Sequence, residues 1–449
     1  MPRPYPFGDN GVVTGLPRRA VTRTAKLASL PLSMAGRAAI GAGKRLGGAS
    51  AEVVNAAIAE RTAEQLFTVL GELKGGAMKV GQAMSVFEAG LPEELARPYR
   101  DALTRLQEAA PPLPPAAVHE VLTTELGQRW RTKFAHFDDA PAAAASIGQV
   151  HRAVWKDGRD VAVKIQYPGA GPALVSDVKQ LSRVARLSGG LAPGMDLEPL
   201  LGRLLERITD ELDYELEARR QVAFGEAFAE APDFHIPAVV HRRGNVLVTE
   251  WLDGTPLSKI IRDGTDEQRE RAAGLLVEFL ISSPERAGLL HADPHPGNYR
   301  LLDDGRLGVL DFGSVEELPD GLPLAMGTLL REALEGDAEA LRDGLVAEGF
   351  LQASTKVPPD ELLSFVEPYM ECLRPEVYTF DRAWLREQFT RFRDPRAAGW
   401  RMAAHFNIPP DYLFIERVWG SGVGVLCQLG APIHAREIMR RWLPGFAGG

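Results

Sequence analysis

Two short motifs in the second half of the chain limit most strongly what it can fold into. The segment His291-Ala-Asp-Pro-His-Pro-Gly-Asn298 is followed, thirteen residues after Asn298, by Asp311-Phe-Gly313. Together these motifs supply two carboxylates and an amide, which are the hard oxygen donors that Mg²⁺ prefers. Chemistry on phosphate groups needs a carboxylate near the attacking group and oxygen ligands that hold Mg²⁺ on the phosphates. The sequence therefore predicts an enzyme that acts on a Mg²⁺-bound nucleotide.

The order and spacing of these side chains match the active-site loops of protein kinases. Asp293 stands five residues before Asn298, as in the kinase H-R-D-x-x-x-x-N loop, and Asp311 occupies the D-F-G position. A lone D-F-G is also a common turn, but the two motifs in this order and at this distance are specific. We therefore predict Asp293 as the catalytic carboxylate and Asn298 and Asp311 as Mg²⁺ ligands.

A third motif predicts a lysine that binds the nucleotide phosphates. Val161-Ala-Val-Lys164 matches the kinase V-A-I-K strand, whose Lys pairs with the α- and β-phosphates. Taken alone, it fits an edge-strand lysine in a Val-rich hairpin equally well. The lysine needs a carboxylate partner on the following helix. Candidates are the acids between Glu211 and Glu217, among which Asp213 and Glu217 are four residues apart and are expected to share a helix face.

The expected phosphate loop departs from the kinase pattern. No G-x-G-x-x-G precedes the first predicted strand, and the segment 142–151 reads AAAASIGQVH instead. Alanine carries a Cβ and admits a phosphate less freely than glycine, but a serine hydroxyl and the loop amides can still cap phosphate oxygens. An Ala-rich run alone would be a helix start, but its place before Lys164 predicts a nucleotide loop. The predicted nucleotide contacts, besides Lys164, are Ala143, Ala144, Ala145, Ser146 and Glu250.

Two kinase features are absent from the sequence. Ala292 replaces the Arg of H-R-D, the group that usually binds a phosphorylated activation loop. No A-P-E follows the D-F-G, because the chain continues directly into Ser314-Val-Glu-Glu-Leu-Pro319. The platform that holds a peptide substrate in protein kinases is therefore missing or rebuilt.

Charge is unevenly distributed along the 449 residues. The net charge is −9, yet residues 1–50 hold eight basic residues against one acid. The acidic remainder argues against broad nucleic-acid binding. The basic segment 17–48 is interpreted either as an amphipathic arm for an anionic membrane surface or as a solvated tail.

Cysteine content and hydropathy indicate the cellular compartment in which the protein is expected. Only Cys372 and Cys427 are present, which predicts no disulfide framework and fits a reducing cytosol. No apolar run reaches the roughly 18–20 residues of a membrane-spanning helix. The longest, residues 418–433, is Gly-rich and predicts a packed helix and turn. We therefore expect a cytoplasmic protein without a transmembrane helix, with peripheral membrane contact through the basic arm as the alternative.

The hydrophobic periodicity changes along the chain. Helical patterns cover much of 50–108, a proline-rich linker follows at 111–115, and strands are predicted at 148–155, 161–166 and 246–251. A helix is predicted at 267–282, then a hairpin about Asp303-Asp-Gly-Arg306, whose acids form the turn, and helices from about 322. This order predicts an α+β, two-lobed protein-kinase-like fold with a helical N-terminal extension and a helical C-terminal region. The predicted domains are a basic flexible arm (1–48), the extension (49–128), a kinase-like N-lobe (129–253) and a helical C-lobe (254–449).

Five motifs in order resemble those of the UbiB-type, or aarF-domain, atypical kinases. Lys79-Val-Gly-Gln82 is similar to the K-x-G-Q signature of that family, and the proline linker follows a Leu-Gln dipeptide as the family linker does. The Ala-rich loop, the Glu211-x-Asp213 pair and the His291–Asn298 loop complete the set. The resemblance covers roughly residues 65–330.

The resemblance implies that the N-terminal extension crosses the active site. In such a fold Lys79, in a motif shared with Gln82, meets Glu211 and Asp213 in the cleft, which leaves Glu217 as the partner of Lys164. An extension in this place would block a protein substrate. The resemblance also implies ATP or ADP and Mg²⁺ as ligands, a link to isoprenoid quinone biosynthesis, and partners among quinone-pathway proteins or isoprenoid lipids. Many family members carry C-terminal transmembrane helices, for which this sequence has no run of sufficient length.

The leading hypothesis is a Mg²⁺-dependent atypical kinase or ATPase that supports isoprenoid quinone or other lipid metabolism. A Ser/Thr protein kinase is a weaker alternative, because the A-P-E segment and the H-R-D arginine are missing. A catalytically silent nucleotide-binding scaffold is the alternative from another class, although all the catalytic carboxylates are present.

Overall fold

The computed structural model describes residues 113–145, 147–169, 210, 212–391, 402 and 405–447. Within these residues the fold is α+β and has two lobes, an antiparallel sheet with helices and a larger helical lobe, as predicted. The predictions for Lys79, Gln82, Ser146 and Glu211 lie outside the described residues.

The smaller lobe is built on a six-stranded sheet with the strand order β1-β3-β4-β7-β6, in which β2 pairs with β3 alone. Strand β3 has the predicted bounds, and the bounds of β4 and β7 each differ from the predicted bounds by one residue at one end. The strands are β1 (Phe134–Phe137), β2 (Ala143–Ala145), β3 (Gly148–Trp155), β4 (Asp160–Gln166), β6 (Val239–Arg243) and β7 (Val246–Glu250).

The alternation of side chains in β4 orients the predicted phosphate lysine. Val161, Val163 and Ile165 are fully buried on one face of the strand. Because successive side chains of a strand point to opposite faces, Lys164 projects from the other face, which is covered by the helix that begins at Tyr214.

Helix α1 (Pro115–Leu126) covers the apolar face of this sheet. Val118 and Leu122 of the helix are completely buried and share one hydrophobic cluster with Trp130 and the β4 valines. The predicted domain boundary between residues 128 and 129 lies between helix α1 and this sheet. The helix and the sheet share one hydrophobic core across that boundary.

Helix α2 (Tyr214–Ala227) lies on the opposite face of the sheet. Asp213 is extended and is the N-cap, because its carboxylate accepts the N–H groups of Glu215 and Leu216. Asp213 therefore stands at the start of α2 and not within it, and its backbone oxygen accepts the N–H of Glu217 one turn later. The physical reason is that an aspartate at this point satisfies otherwise unpaired helix N–H groups.

A second, four-stranded sheet lies at the junction of the lobes in the order β5-β11-β10-β8. The antiparallel pair β10–β11 is the predicted hairpin, with Tyr299 opposite Val309. Strand β9 pairs with β12 beside it. The strands are β5 (Phe234–His235), β8 (Thr255–Pro256), β9 (Leu289–His291), β10 (Tyr299–Leu301), β11 (Leu307–Val309) and β12 (Val315–Glu317).

The core of the larger lobe is the long helix α4, which follows the short helix α3 (Leu257–Asp263) and spans Asp266–Ala287. Thr265 caps it in a capping box with Gln268, and Gly288 ends it in the left-handed conformation at φ 64°. Both devices satisfy helix-end groups that lack intrahelical partners. The helix places its buried side next to β9, which carries the first residue of the His291–Asn298 motif.

The C-terminal region is helical, as predicted, apart from the short pair β13 (Tyr378–Thr379) and β14 (Pro432–Ile433). The apolar run 418–433 forms most of α9, a left-handed Gly430 and β14, so the prediction of a packed helix and turn is confirmed. Across the described parts of the chain, no helix combines the length and apolarity that crossing a bilayer would require. The helices are α5 (Leu324–Glu335), α6 (Ala338–Ala347), α7 (Pro359–Met370), α8 (Arg382–Arg391), α9 (Leu413–Leu429) and α10 (Ala435–Trp442).

Candidate active site

Lys164 is held between two carboxylates in the cleft between the lobes. Its Nζ lies 2.7 Å and 3.0 Å from the two oxygens of Glu217 and 3.3 Å from Oδ2 of Asp311. Three distant parts of the chain therefore meet at one ammonium group, from β4, from α2 and from the D-F-G turn. The Lys164–Glu217 contact agrees with the partner implied by the family resemblance.

The pair with Glu217 is deeply placed. The Glu217 side chain is 2% exposed and that of Lys164 is 17% exposed. Burial alone lowers the pKa of Lys164, but the carboxylates of Asp311 and Glu217 outweigh burial and raise the pKa well above its ordinary value. Lys164 therefore stays positively charged at neutral pH.

Tyr214 forms part of the wall beside this cation. Its ring centroid lies 5.2 Å from Lys164 Nζ, within the range of a cation–π contact. Burial raises the pKa of Tyr214, so its hydroxyl stays neutral. The first residue of α2 thus helps to confine Lys164 to the cleft.

The D-F-G turn is fixed on both sides of Asp311. Oδ1 of its carboxylate accepts the N–H of Gly313 at 2.9 Å, while Oδ2 faces Lys164. Phe312 is fully buried and packs on Phe224 of α2, with ring centroids 5.0 Å apart. The turn therefore orients the Asp311 carboxylate towards the cleft and anchors itself in the core.

A buried histidine joins this turn to the predicted catalytic loop. His291 Nε2 donates to the backbone oxygen of Asp311 at 2.6 Å, and the hydroxyl of Tyr299 is hydrogen-bonded to His291 Nδ1 at 3.0 Å. The first contact places a proton on Nε2, because a carbonyl oxygen can only accept a hydrogen bond. No role was predicted from the sequence for His291 or Tyr299, although His291 is the first residue of the loop motif.

Asp293 and Asn298 are held close together within the loop. Asn298 Nδ2 donates to the backbone oxygen of Asp293 at 3.1 Å, and the backbone oxygen of Asn298 accepts the N–H of Leu310 at 2.9 Å. The second contact lies at the end of the β10–β11 hairpin, so Asn298 and Asp311 stand at the same end of one ladder. The two predicted metal ligands are therefore brought together by strand pairing.

The donor set fits Mg²⁺. Both predicted ligands offer oxygen and neither offers nitrogen or sulfur, and Mg²⁺ is usually held by one or two carboxylates together with the phosphates of a substrate. No cluster of three or more His, Cys, Asp or Glu side chains that would bind a metal by itself occurs among the described residues. A site with two protein ligands would depend on the nucleotide to complete it.

The Ala-rich segment, which is predicted to be the nucleotide loop, forms one strand of a hairpin. Ala143, Ala144 and Ala145 are strand β2, and Ala145 pairs with Gly148 across a two-residue connection. The cause is continuous pairing with β3, to which the alanines contribute small side chains. The hairpin still lies beside β4, which carries Lys164.

Gly148 is required at this hairpin by the packing of the backbone. A Cβ on Gly148 would stand 2.2 Å from the backbone oxygen of Ile165 on the neighbouring strand. A glycine inside a strand pattern is the usual sign of such a close approach. The sequence motif therefore contained a structural glycine next to the expected phosphate site.

Glu250 ends β7 where the two lobes join. Its carboxylate accepts from Nε2 of His235 at 3.1 Å and from the N–H of Ala238 at 3.2 Å. Arg306 in turn donates to Nδ1 of His235 at 3.1 Å. The Glu250 side chain thus links the two lobes, and its contact with a nucleotide stays a prediction.

The family model described as the ABC1 atypical kinase-like domain matches residues 105–344, more than half of the chain. The chain is 31% identical to "Atypical kinase coq-8, mitochondrial" of Caenorhabditis elegans over 331 residues, which cover 68% of this chain and 43% of the worm protein. It is 27% identical to "Atypical kinase COQ8, mitochondrial" of Saccharomyces cerevisiae over 396 residues, which cover 85% of this chain and 76% of the yeast protein.

A solved structure is more similar. It is described as the complex structure of Rv3197 and erythromycin from Mycobacterium tuberculosis, and it is 44% identical with a TM-score of 0.69. The match covers 89% of this chain and 100% of that chain. Some curated relatives are longer, since the match spans only 43% of the worm protein. The chain belongs to the ABC1, or UbiB-type, family of atypical kinases.

Proposed function

We propose that this protein is a Mg²⁺-dependent, ATP-binding atypical kinase or ATPase. The observation that carries the proposal is the meeting of Lys164, Glu217 and Asp311 within 3.3 Å in the cleft. Such a lysine–carboxylate pair beside a D-F-G aspartate is the arrangement that positions nucleotide phosphates in kinases. Family membership supports the same class of chemistry.

Each side chain has a distinct part in this proposal. Lys164 binds the α- and β-phosphates, and Glu217 holds it in place. Asn298 and Asp311 would hold Mg²⁺, which neutralises the charge that develops on the phosphates. Asp293, on the loop between β9 and β10, orients the attacking group and accepts its proton.

The wider biological role rests on the family resemblance. We propose that the enzyme supports isoprenoid quinone or other lipid metabolism, with quinone-pathway proteins or isoprenoid lipids as partners. The basic arm 1–48 would provide peripheral membrane contact from the cytoplasm. Lipid profiling of a deletion strain tests this role, and an unchanged set of quinones and isoprenoid lipids would contradict it.

Asp311→Asn is expected to abolish the stabilisation by Mg²⁺ and nucleotide, because the amide removes the charge that binds the metal. In the parent protein, nucleotide at 100 times its Kd should add about 2.7 kcal/mol of stability. Thermal unfolding with ADP, with and without Mg²⁺, measures the effect. A Mg²⁺-dependent shift in Asp311→Asn equal to that of the parent would contradict the metal assignment.

A regulatory contact is proposed between Lys79 and the acids Glu211 and Asp213, on the basis of the family resemblance. Asp213 lies at the N-terminus of α2, one helical turn before Glu217. Lys79→Ala should therefore change nucleotide affinity by about fivefold or more, a usual size for coupling between sites, or permit autophosphorylation. Lys74→Ala is the matched control. Unaltered affinity, turnover and autophosphorylation in Lys79→Ala would refute this regulation.

A second candidate function is macrolide binding. The mycobacterial relative of known structure, 44% identical over most of this chain, is described in complex with erythromycin. We propose that this chain also binds erythromycin. Titration of the purified protein by calorimetry should show saturable heat, and the absence of heat up to the solubility limit of erythromycin would dismiss the proposal.

A further inference from the structure

Arg220 is a buried cation on α2 that is not part of the phosphate site. It is 8% exposed. One terminal nitrogen donates to the backbone oxygen of Gly313 at 3.3 Å, and the other forms an ion pair with Oδ2 of Asp210 at 3.0 Å. A single guanidinium thus touches the D-F-G turn and the acidic segment that precedes α2.

Packing alone does not account for an arginine at this position. Phe224, one turn later on the same helix, already anchors Phe312. Nε of Arg220 is buried and has no hydrogen-bond partner among the described residues. The desolvation cost of burying the guanidinium is therefore not fully offset by hydrogen bonds. An apolar side chain would fill the same space without that cost, which points to the two contacts themselves.

The contact with Gly313 acts on Asp311. The N–H of Gly313 holds Oδ1 of Asp311 at 2.9 Å, and the carbonyl of the same residue accepts from Arg220. The guanidinium therefore fixes the residue that orients the Asp311 carboxylate. If Gly313 were released, Oδ1 of Asp311 would lose this hydrogen bond.

The contact with Asp210 leads to the start of α2. The backbone oxygen of Asp210 accepts the N–H of Asp213 at 3.0 Å, and Asp213 caps the helix. The helix start and the D-F-G turn are therefore joined through Arg220. Displacement of the acidic segment would be transmitted to Gly313.

We propose that Arg220 is a positioning residue that couples the acidic segment at Asp210 to the orientation of Asp311, and so sets the Mg²⁺ requirement of the site. The proposal deepens the proposed function and rests on its assignment of Asp311 to Mg²⁺. This coupling differs from the regulatory contact proposed for Lys79. It runs through the backbone carbonyl of Gly313 and not through Lys164.

Arg220→Met, Arg220→Lys and Asp210→Asn test this coupling. Arg220→Met should raise the Mg²⁺ concentration for half-maximal stabilisation by ADP about tenfold, the effect of losing one charge-assisted hydrogen bond. Arg220→Lys and Asp210→Asn should show smaller increases, because each keeps part of the link. Arg219→Met is the matched control, since Arg219 is 57% exposed on the same helix and should leave the Mg²⁺ requirement unchanged.

Hydrogen exchange of the Gly313 amide provides a readout that needs neither metal nor nucleotide. We expect faster exchange in Arg220→Met and parent-like exchange in Arg219→Met. Unchanged exchange and an unchanged Mg²⁺ requirement in Arg220→Met and Arg220→Lys would overturn the inference. If the parent itself showed no Mg²⁺-dependent stabilisation, the proposed function would fail, and Gly313 exchange would still decide whether Arg220 positions the turn.

Discussion

Replacing Glu217 by Leu, with Lys164 retained, is expected to lower the free energy of unfolding by about 3 kcal/mol. Removing one partner of a buried ion pair leaves the other charge without adequate compensation, at a cost of about 3–5 kcal/mol. We expect the lower end, because Asp311 remains 3.3 Å from Lys164 Nζ. Urea denaturation of the parent and the variant measures the difference.

The double variant Lys164→Met/Glu217→Leu separates stability from function. Two apolar side chains in place of a buried pair are often neutral or stabilising, so the double variant should recover most of the lost stability. Nucleotide binding should nevertheless be absent from it, because the phosphate-binding cation is gone. A double variant as unstable as Glu217→Leu, or one that still binds nucleotide, would contradict this account.

The stability effect should not depend on pH in the neutral range. The pKa of Lys164 is raised in the folded protein, so its contribution is fully present below the ordinary lysine pKa of about 10.4 and is lost only as the pH rises through the higher, folded value. The loss in Glu217→Leu should therefore be equal at about pH 6.5 and pH 8.5. Measurements at these two values provide an internal check on the pairing.

Asp293→Asn is expected to reduce ATP turnover by about 10²–10⁴-fold, the usual contribution of a general base. Nucleotide affinity should stay close to that of the parent, because the loop is held by backbone contacts and by Asn298, which the substitution keeps. A loss in kcat with unchanged binding is the sign of a group that acts in the reaction itself.

Asp303→Asn is the matched control for this substitution. Asp303 is an exposed carboxylate in the turn between β10 and β11, a few residues from the loop in sequence and without a predicted role in chemistry. Its replacement should leave turnover unchanged. Turnover in Asp293→Asn at the level of the Asp303→Asn control would remove Asp293 from the mechanism.

The strands with clear alternation were predictable from the sequence. Strand β3 has the predicted bounds, and β4 begins only one residue earlier than expected. The strand β4 was predictable because Val161, Val163 and Ile165 alternate with less buried residues. Strands β5, β8 and β9 have only two or three residues each and were not predicted. Such short strands exist through pairing with distant segments, which leaves no local periodicity to detect.

The candidate site was predictable to different degrees. Spacing singled out Asp293 and Asp311, and these loops in turn favoured a functional role for Lys164. The carboxylate partner of the lysine stayed open until the family resemblance favoured Glu217. The role of Asp213 as an N-cap was missed, because an acid inside a helix and an acid at its start look alike in sequence. Arg220 could not be found in this way, since its partner Gly313 is 93 residues away.

Mg²⁺-dependent release of ADP from ATP by the purified chain tests the central claim most directly. We expect ADP formation that requires Mg²⁺, falls by about 10²–10⁴-fold in Asp293→Asn and is unchanged in Asp303→Asn, while both variants still bind nucleotide. Phosphate found on lipid, on protein or free in solution then identifies the acceptor. Nucleotide binding without any ADP formation by the parent would contradict the account and would indicate a catalytically silent scaffold.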